Sequence, residues 1–235
     1  MLTTPSQQAA CPTARSRFWR GARLGTPILL GYLPVGTAFG IAARDLGLSA
    51  VQAVACSATA LAGAGQFIAL ALMKSGATAL GVIVATTVVN LRYVLFGAAM
   101  APYVSRVRPM GQALLAFTLT DETFAVNIDD HRHGHADAHS MAGVGAIAWV
   151  GWVAGTALGA LTAGLIGDPD SWGVSFAMPA MFSALLVAQA EDRRHVATAV
   201  IAGLLTVALM VVLPGTWYVI VAPMAAATVA AMVFR

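Results

Sequence analysis

Three ionisable residues lie inside long apolar stretches of this 235-residue chain: Arg92, Asp121 and Glu122. An ionised side chain inside a membrane span costs about 2.5–3.5 kcal/mol on insertion scales, so such residues usually serve a purpose that offsets the cost. A guanidinium can pair with a carboxylate, and both groups can bind the charged parts of a small molecule. These residues are therefore the first candidates for functional chemistry. Mutual ion pairing that only joins helices is the alternative.

Polar residues accompany these charges in the same stretches. They are Gln66, Thr86, Thr87, Asn90, Thr118, Thr120, Thr123 and Asn127. At 100° per residue, Asp121 and Glu122 share one arc of a helix and Thr123 lies on the opposite arc. We expect this helix to be central, because a helix with two polar sides cannot face lipid. If the preceding helix is continuous, Asn90 and Arg92 point in different directions. One arrangement then pairs Arg92 with a carboxylate while Asn90 faces a bound molecule, and the sequence leaves this open.

The composition fixes the surroundings of these residues. The chain is 59% hydrophobic and 10% charged, with a mean hydropathy of +0.79, whereas an ordinary soluble domain carries about 25% charged residues. Residues 196–234 contain no ionised side chain. These numbers exclude a soluble enzyme and a nucleic-acid-binding protein, and the two cysteines exclude a disulfide-stabilised secreted domain. We predict an all-α fold, a polytopic bundle of membrane-spanning helices.

Charges and turn residues divide the apolar sequence into segments that predict a bundle of seven to eight spans. The segments are 24–43, 46–73, 76–104, 110–127, 141–166, 174–190, 195–213 and 216–234. With eight spans and a cytoplasmic N-terminus, most Lys and Arg residues lie on the cytoplasmic side, as in most membrane proteins. Seven spans result if the first segment is re-entrant and does not cross the membrane. Residues 1–23 are predicted to be a disordered tail and a basic cytoplasmic lead-in. Residues 24–235 are predicted to be a single transmembrane domain with a long polar loop at 128–140.

Prolines interrupt two short segments near their middle, Pro34 in the first and Pro179 in the sixth. A proline removes a backbone donor and can break a helix. The two segments have opposite orientations in the eight-span topology, which is the arrangement of broken helices in inverted repeats, where the freed helix ends face a bound molecule. We therefore predict inverted repeats with broken helices 1 and 6. A simple proline kink in each helix is the alternative.

Two further patterns are interpreted as structural. Gly151, Gly155 and Gly159 recur every four residues and predict a flat stripe for close helix packing. His135 and His139 belong to a histidine-rich stretch in the predicted loop, where a metal site is conceivable. We expect a solvated loop there, because the stretch lacks cysteine and is rich in small residues. No metal site and no cofactor are predicted.

Five motifs, in this order, carry a resemblance to a known family. They are Leu33-Pro-Val-Gly-Thr-Ala-Phe-Gly40, Ala62-Gly-Ala-Gly-Gln-Phe67, Asn90-Leu-Arg-Tyr-Val-Leu-Phe-Gly97, Leu119-Thr-Asp-Glu-Thr-Phe-Ala125 and Met178-Pro-Ala-Met-Phe182. From about residue 25 to residue 215 the chain resembles the AzlC family, the large subunits of branched-chain amino acid exporters.

The resemblance implies a multi-pass permease of the bacterial inner membrane that exports branched-chain or similar apolar amino acids. It also implies a small four-helix AzlD-type membrane subunit as partner, and transport driven by the proton gradient. The position after Arg92, often histidine in the family, is Tyr93 here, so a proton relay through that histidine does not transfer. Asp121 and Glu122 are then the candidates for proton coupling, as the only carboxylates inside a predicted span.

The amino acid substrate that this resemblance implies requires partners for its carboxylate, its ammonium and its apolar side chain. Freed helix N-termini near Pro34 or Pro179, or Arg92, are candidates for the carboxylate. The carboxylates of Asp121 or Glu122, with Gln66 and Asn90, are candidates for the ammonium. The candidates for the apolar side chain are Phe67, Phe124 and Met181.

An intramembrane enzyme and a scaffold subunit are the two alternative classes of function. An intramembrane enzyme is disfavoured, because Asp121 and Glu122 diverge by about 100° on a helix and no metal-ligand pair lies within a span. A scaffold subunit whose partner forms the pathway is the main alternative. The sequence leaves open whether the chain works alone, as a homo-oligomer or with the small subunit.

Overall fold

The computed structural model describes residues 13–165 and 192–212, and single residues or pairs at 176, 179–180, 183, 186–187, 190, 225–226, 228–229 and 232. This part of the chain is helical and contains no strand, in agreement with the predicted fold class. The helices are α1 (Ala14–Leu24), α2 (Thr26–Asp45), α3 (Ala50–Thr59), α4 (Gly63–Lys74), α5 (Ala79–Asn90), α6 (Arg92–Val104), α7 (Pro109–Phe117), α8 (Asp121–Arg132), α9 (Ala138–Thr162) and α10 (Arg193–Val212).

Three helical stretches of the described residues are long and apolar enough to cross a bilayer. They are α2, the pair α5–α6 over Ala79–Val104, and α9 with its last 3₁₀ turn over Ala138–Leu165. The segments between them are also apolar, but they are built from shorter helices. The predicted count of seven to eight spans is therefore not confirmed.

The second apolar segment folds back on itself instead of crossing. Lys74, the last residue of α4, forms an ion pair with Asp45, the last residue of α2, at 2.9 Å. Because α3 begins shortly after α2 ends, α3 enters from the side where α2 ends, and α4 returns to that side, here called the Asp45 face. The two helices form a re-entrant hairpin, hairpin A (residues 50–74), whose tip is the non-helical stretch 60–62.

The fourth apolar segment forms a second hairpin, hairpin B (residues 109–132), from α7 and α8. Near its ends, the ring of Tyr103 in α6 stacks on His131 in α8 with centroids 4.3 Å apart. Gln112 in α7 donates to the carbonyl oxygen of Val104 at 3.0 Å. Both ends of hairpin B therefore lie where α6 ends. Since α5–α6 crosses from one side to the other, hairpin B enters from the side opposite to hairpin A.

The prediction of a continuous fourth helix is therefore wrong. The chain leaves the helix after Phe117, and a new helix begins at Asp121, with Thr120 as its N-cap. The Thr120 hydroxyl accepts from the backbone N–H of Thr123, and the Thr123 hydroxyl accepts from the N–H of Thr120, which is a capping box. The helical arcs predicted for this segment assumed one continuous helix, so they do not apply across residues 118–120.

The predicted break in helix 1 is also wrong. Helix α2 runs from Thr26 to Asp45 with Pro34 inside it. The proline is exposed, whereas Gly36 and Gly40 on the other side are buried against α9. One missing hydrogen bond does not break a helix that packs this extensively. The sixth segment and Met181 lie largely outside the described residues, and Pro179 is described as an exposed helical residue.

A span followed by a hairpin nevertheless occurs twice in opposite orientations, first as α2 with hairpin A and then as α5–α6 with hairpin B. The inverted relation therefore exists at a different place from the predicted one. Its interruptions lie at 60–62 and 118–120, away from the prolines.

Glycines allow α2 and α9 to pack backbone against backbone, as the glycine stripe predicted. A Cβ at Gly155 would overlap the carbonyl oxygen of Leu33, and one at Gly159 would overlap that of Thr37. A Cβ at Gly40 would likewise overlap the carbonyl oxygen of Thr156. Because contacts advance in the same direction along both helices, α2 and α9 are parallel. We call this contact between α2 and α9, formed at Gly40, Gly155 and Gly159, the glycine seam.

We expect Gly159→Ala to destabilise the protein by about 1–3 kcal/mol, the usual cost of overpacking. Gly31→Ala is the matched control, since it lies in α2 with nothing within 4 Å of its would-be Cβ. The Gly31→Ala variant should have the same stability as the native protein or a slightly higher one, because alanine favours the helical conformation over glycine. Thermal unfolding of both variants in detergent measures the difference. Equal unfolding temperatures would contradict the tight seam.

The basic lead-in is a helix that packs on the start of α9, and residues 1–12 lie outside the described part of the chain. Arg17 pairs with Asp137 at 2.6 Å, and Arg20 pairs with Asp130 at 2.8 Å. Burial alone would raise the pKa of Asp137, but the N–H of Ser140 and the charge of Arg17 lower it. The stretch 128–140, expected to be a loop, is helical except at 133–137, because Asp137 caps α9. We call this side of the molecule the α1 face.

Candidate functional site

The tips of hairpins A and B meet at a cavity in the middle of the molecule, against α2, α6 and α9. The residues that line the cavity are Tyr32, Leu61, Gly63, Ala64, Arg92, Tyr93, Thr120, Asp121, Glu122 and Trp152. All three charged residues that the sequence singled out are therefore brought together. Both hairpins contribute their tip and the first turn of their second helix.

Arg92 reaches from the start of α6 to the tip of hairpin B. Its guanidinium lies 2.9 Å from Oδ2 of Asp121 and 3.1 Å from Oδ1. The side chain of Asp121 is 9% exposed and that of Arg92 is 25% exposed. Arg92 also donates to the hydroxyl of Tyr93 at 3.4 Å. Of the arrangements that the sequence left open, the structure has the one in which Arg92 pairs with a carboxylate.

Glu122 has a different set of partners from its neighbour. The hydroxyl of Tyr32, in the middle of α2, donates to Oε2 of Glu122 in a short hydrogen bond. The same tyrosine oxygen lies 2.8 Å from the hydroxyl oxygen of Thr120, the N-cap of α8. Among the described residues, Glu122 forms no ion pair. Two adjacent carboxylates thus lie in one cavity, one paired with the guanidinium of Arg92 and the other hydrogen-bonded to the hydroxyl group of Tyr32.

Trp152 closes the cavity on the α9 side. Its side chain is 1% exposed, and its ring contacts that of Tyr32 edge to face, with centroids 5.4 Å apart. The indole N–H donates to Oε1 of Gln66 at 2.8 Å, and Gln66 in turn donates to Ser57 at 3.4 Å. Gln66 therefore lies behind Trp152 and does not line the cavity, because the indole takes its carbonyl group.

The first turn of α4 forms the opposite side of the cavity from the carboxylates. Gly63 and Ala64 line the cavity, and no side chain caps this helix N-terminus. Uncapped N–H groups carry partial positive charge and favour an anion. The amide group of Asn90 lies against Gly65 in the same turn, and its Oδ1 is buried without a hydrogen-bond partner among the described residues. The cavity thus combines an uncapped helix N-terminus with two carboxylates, of which Asp121 is paired with Arg92 and Glu122 forms no ion pair among the described residues.

The remaining predicted binding residues lie elsewhere. Phe67 is buried in the core, where its ring contacts those of Phe39 and Trp152. Pro34 is exposed on α2, and Phe124 stacks on Phe96 outside the cavity lining. In the part of the chain that the structure describes, no three His, Cys, Asp or Glu side chains converge as metal ligands.

Several lining residues were not predicted from the sequence, above all Tyr32, Thr120 and Trp152. Thr120-Asp-Glu-Thr123 is a typical helix start, with a capping residue followed by acidic residues, and it could have located the tip of hairpin B. Gly63-Ala-Gly65 could have suggested the tip of hairpin A, because glycine weakens helices. Nothing comparable distinguishes Tyr32 or Trp152.

The cavity is small in this conformation. The space open to the centre of a water molecule is about 20 Å³, enough for a water but far below the roughly 300–1,000 Å³ of sites that enclose small molecules. A ligand the size of an amino acid therefore requires the hairpin tips or the aromatic side chains to move.

Comparison with known proteins assigns the chain to a family. Residues 27–166 match the family model described as AzlC protein. The chain is 31% identical over 211 residues to the Escherichia coli (strain K12) inner membrane protein YgaZ, covering 87% of this chain and 85% of the relative. It is 27% identical over 219 residues to the Bacillus subtilis (strain 168) branched-chain amino acid transport protein AzlC, covering 90% and 84%. No solved structure matches the chain. Because the family model covers more than half of its length, this membrane protein belongs to the AzlC family.

Proposed function

We propose that the chain is a secondary transporter that exports branched-chain or similar apolar amino acids across the inner membrane, coupled to protons. The observation that carries the proposal is the cavity between the tips of two opposed hairpins. It offers an uncapped helix N-terminus on one side and two carboxylates on the other. Broken helices that meet in mid-membrane are typical of transporter binding sites.

The two charged sides of the cavity suit a zwitterion. The substrate carboxylate binds the N–H groups of Gly63 and Ala64, in the helical turn where the amide group of Asn90 lies against Gly65. The ammonium binds the carboxylate side, formed by Asp121 and Glu122. This assignment moves the carboxylate site from Pro34 to hairpin A, because α2 continues through Pro34 whereas α4 begins without a side-chain cap.

The apolar side chain of the substrate contacts the aromatic wall of the cavity. Tyr32, Tyr93 and Trp152 line this wall together with Leu61. The apolar surface that these rings and Leu61 provide favours an aliphatic side chain. Gln66 and Phe67 act indirectly, since they hold Trp152 in place. The similarity to the Bacillus subtilis branched-chain amino acid transport protein AzlC supports this substrate class.

The proposal includes a small AzlD-type membrane subunit as partner and a cytoplasmic location for the α1 face. Support for the orientation comes from Arg15, Arg17, Arg20 and Arg23, all on α1, since positive charge concentrates on the cytoplasmic side.

Counterflow of radiolabelled leucine tests the proposal. Purified protein is reconstituted in vesicles loaded with unlabelled leucine, with and without the small subunit. We expect labelled leucine to accumulate transiently, and glutamate loading to give no accumulation. Counterflow by the small subunit alone would favour the scaffold alternative. Absence of counterflow in all preparations would refute transport of this class.

A matched pair of variants links counterflow to the cavity. A Cβ at Gly63 would lie 3.0 Å from the indole ring of Trp152, so Gly63→Ala narrows the site and should reduce counterflow strongly. Gly31→Ala adds the same methyl group where no atom lies within 4 Å, and it should leave counterflow unchanged.

A further inference from the structure

We infer that Glu122, held by Tyr32, takes up and releases the coupling proton, while the Arg92–Asp121 pair stays ionised and fixes the tip of hairpin B. The inference rests on the proposed function and assigns different roles to two carboxylates that the sequence could not distinguish. It also gives a role to Tyr32.

Asp121 is poorly suited to carry a proton. Its carboxylate is 9% exposed and lies 2.9 Å from the guanidinium of Arg92. Arginine only donates hydrogen bonds and keeps its charge. A proton on Asp121 would therefore leave a largely buried cation without its counter-ion, which is costly. The pair is best kept ionised in every state of the transport cycle.

The hydrogen-bond partners around Glu122 are compatible with both its ionised and its protonated state. When Glu122 is ionised, the Tyr32 hydroxyl donates to it, and Tyr32 can accept from the hydroxyl of Thr120, 2.8 Å away. When Glu122 is protonated, its O–H donates to the Tyr32 oxygen, and the Tyr32 hydroxyl turns to donate to Thr120. A hydroxyl group both donates and accepts, so the chain of hydrogen bonds reverses while the heavy atoms stay in place.

The proton balance of the step is simple. A proton from the aqueous phase binds Oε2 of Glu122, no covalent bond between heavy atoms changes, and the proton returns to water on the other side. The ionisable groups that face this site are Arg92 and Tyr93 on α6, Tyr32 on α2, and Asp121 beside it. Hairpin A and α9 add no ionisable group to the lining. Their lining residues are Leu61, Gly63, Ala64 and Trp152.

The same arrangement couples the proton to the substrate. An ionised Glu122 attracts the substrate ammonium, and a protonated Glu122 does not. Substrate and proton therefore compete for one carboxylate, which is the condition for exchanging a proton for an amino acid. Tyr32 is a positioning residue in this scheme, since its hydroxyl orients Glu122 through a hydrogen bond in both protonation states while Glu122 itself carries the proton.

Two assays on the same vesicles separate the roles. Leucine counterflow reports binding and the movement of the loaded carrier, whereas leucine accumulation driven by a pH gradient requires proton coupling. We expect Glu122→Gln to lose gradient-driven accumulation completely. Its counterflow should be weaker than that of the native protein but measurable at high leucine concentration, because the carboxylate of Asp121 still faces the ammonium. Asp121→Asn should lose both activities, because it leaves Arg92 without its partner.

Tyr32→Phe removes one hydroxyl group and leaves both carboxylates in place. A hydrogen bond to a charged group contributes about 1.5–3 kcal/mol, so gradient-driven accumulation should fall at least about tenfold relative to counterflow. Tyr103→Phe is the matched control, since this tyrosine stacks on His131 away from the cavity. It should keep the native ratio of the two activities.

Several results would overturn the inference. Gradient-driven accumulation by Glu122→Gln would show that the proton binds elsewhere, and so would an unchanged ratio in Tyr32→Phe. If Glu122→Gln does not fold, the ratio in Tyr32→Phe decides alone. Absence of counterflow by the native protein with its small subunit would instead remove the proposed function, and the inference with it.

Discussion

Replacing Arg92 with glutamine should destabilise the protein by about 3 kcal/mol, the lower end of the cost of breaking a buried ion pair. The loss arises from Asp121, whose carboxylate would remain in the cavity without its counter-ion. Helix α6 and hairpin B would also lose the ion pair that joins them. The effect should therefore exceed that of any exposed ion pair in the described part of the chain.

Thermal unfolding in detergent measures this effect, with two variants as controls. The double variant Arg92→Gln/Asp121→Asn removes both charges and should recover most of the loss. Asp45→Asn breaks the exposed pair with Lys74, whose side chains are 41% and 69% exposed, and should cost less than about 1 kcal/mol. A double variant no more stable than Arg92→Gln would show that the charge imbalance is not the cause.

Trp152→Ala should destabilise the protein by about 3–5 kcal/mol, the usual cost of deleting a buried large aromatic side chain. The indole is 1% exposed and contacts the rings of Tyr32, Phe39 and Phe67. Its loss leaves a cavity between α2, α4 and α9. It also leaves Oε1 of Gln66 without the donor that now satisfies it.

The matched control for this variant is Trp19→Ala, because Trp19 lies on α1 and is 54% exposed. We expect it to change stability by less than about 1 kcal/mol. Trp152→Phe should fall between the two, since it keeps most of the ring volume but removes the N–H group. Equal unfolding temperatures for Trp152→Ala and Trp19→Ala would contradict the packing described for α9.

The sequence predicted the features that depend on composition and on short spacings. Arg92, Asp121 and Glu122 were found because a charge is rare in an apolar stretch, and the structure places all three at one cavity. The glycine stripe of α9 was found because a four-residue repeat aligns on one helix face. Both signals are local, so one chain was enough to detect them.

The hairpins could not be found in this way. Hydropathy reports how apolar a segment is, and a segment such as 46–73 is long enough both to cross the bilayer and to turn back. The direction depends on packing between elements distant in sequence, such as that of α3 against α9. Tyr32 and Glu122 are separated by 90 residues, and neither position shows locally that they meet. The break predicted at Pro34 is absent because packing against α9 outweighs one lost hydrogen bond.

The glycine seam between α2 and α9 determines which parts of the protein can move. Side chains normally form a deformable layer between two helices, but here backbone meets backbone, and sliding would drive a glycine against a carbonyl group. The two helices therefore behave as a fixed frame that supports Tyr32 and Trp152. In the proposed transport cycle, opening of the cavity to either side of the membrane falls to the two hairpins, which reach it from opposite sides. In that cycle the frame stays fixed while the hairpins move, and the proposed substrate site lies where their tips meet.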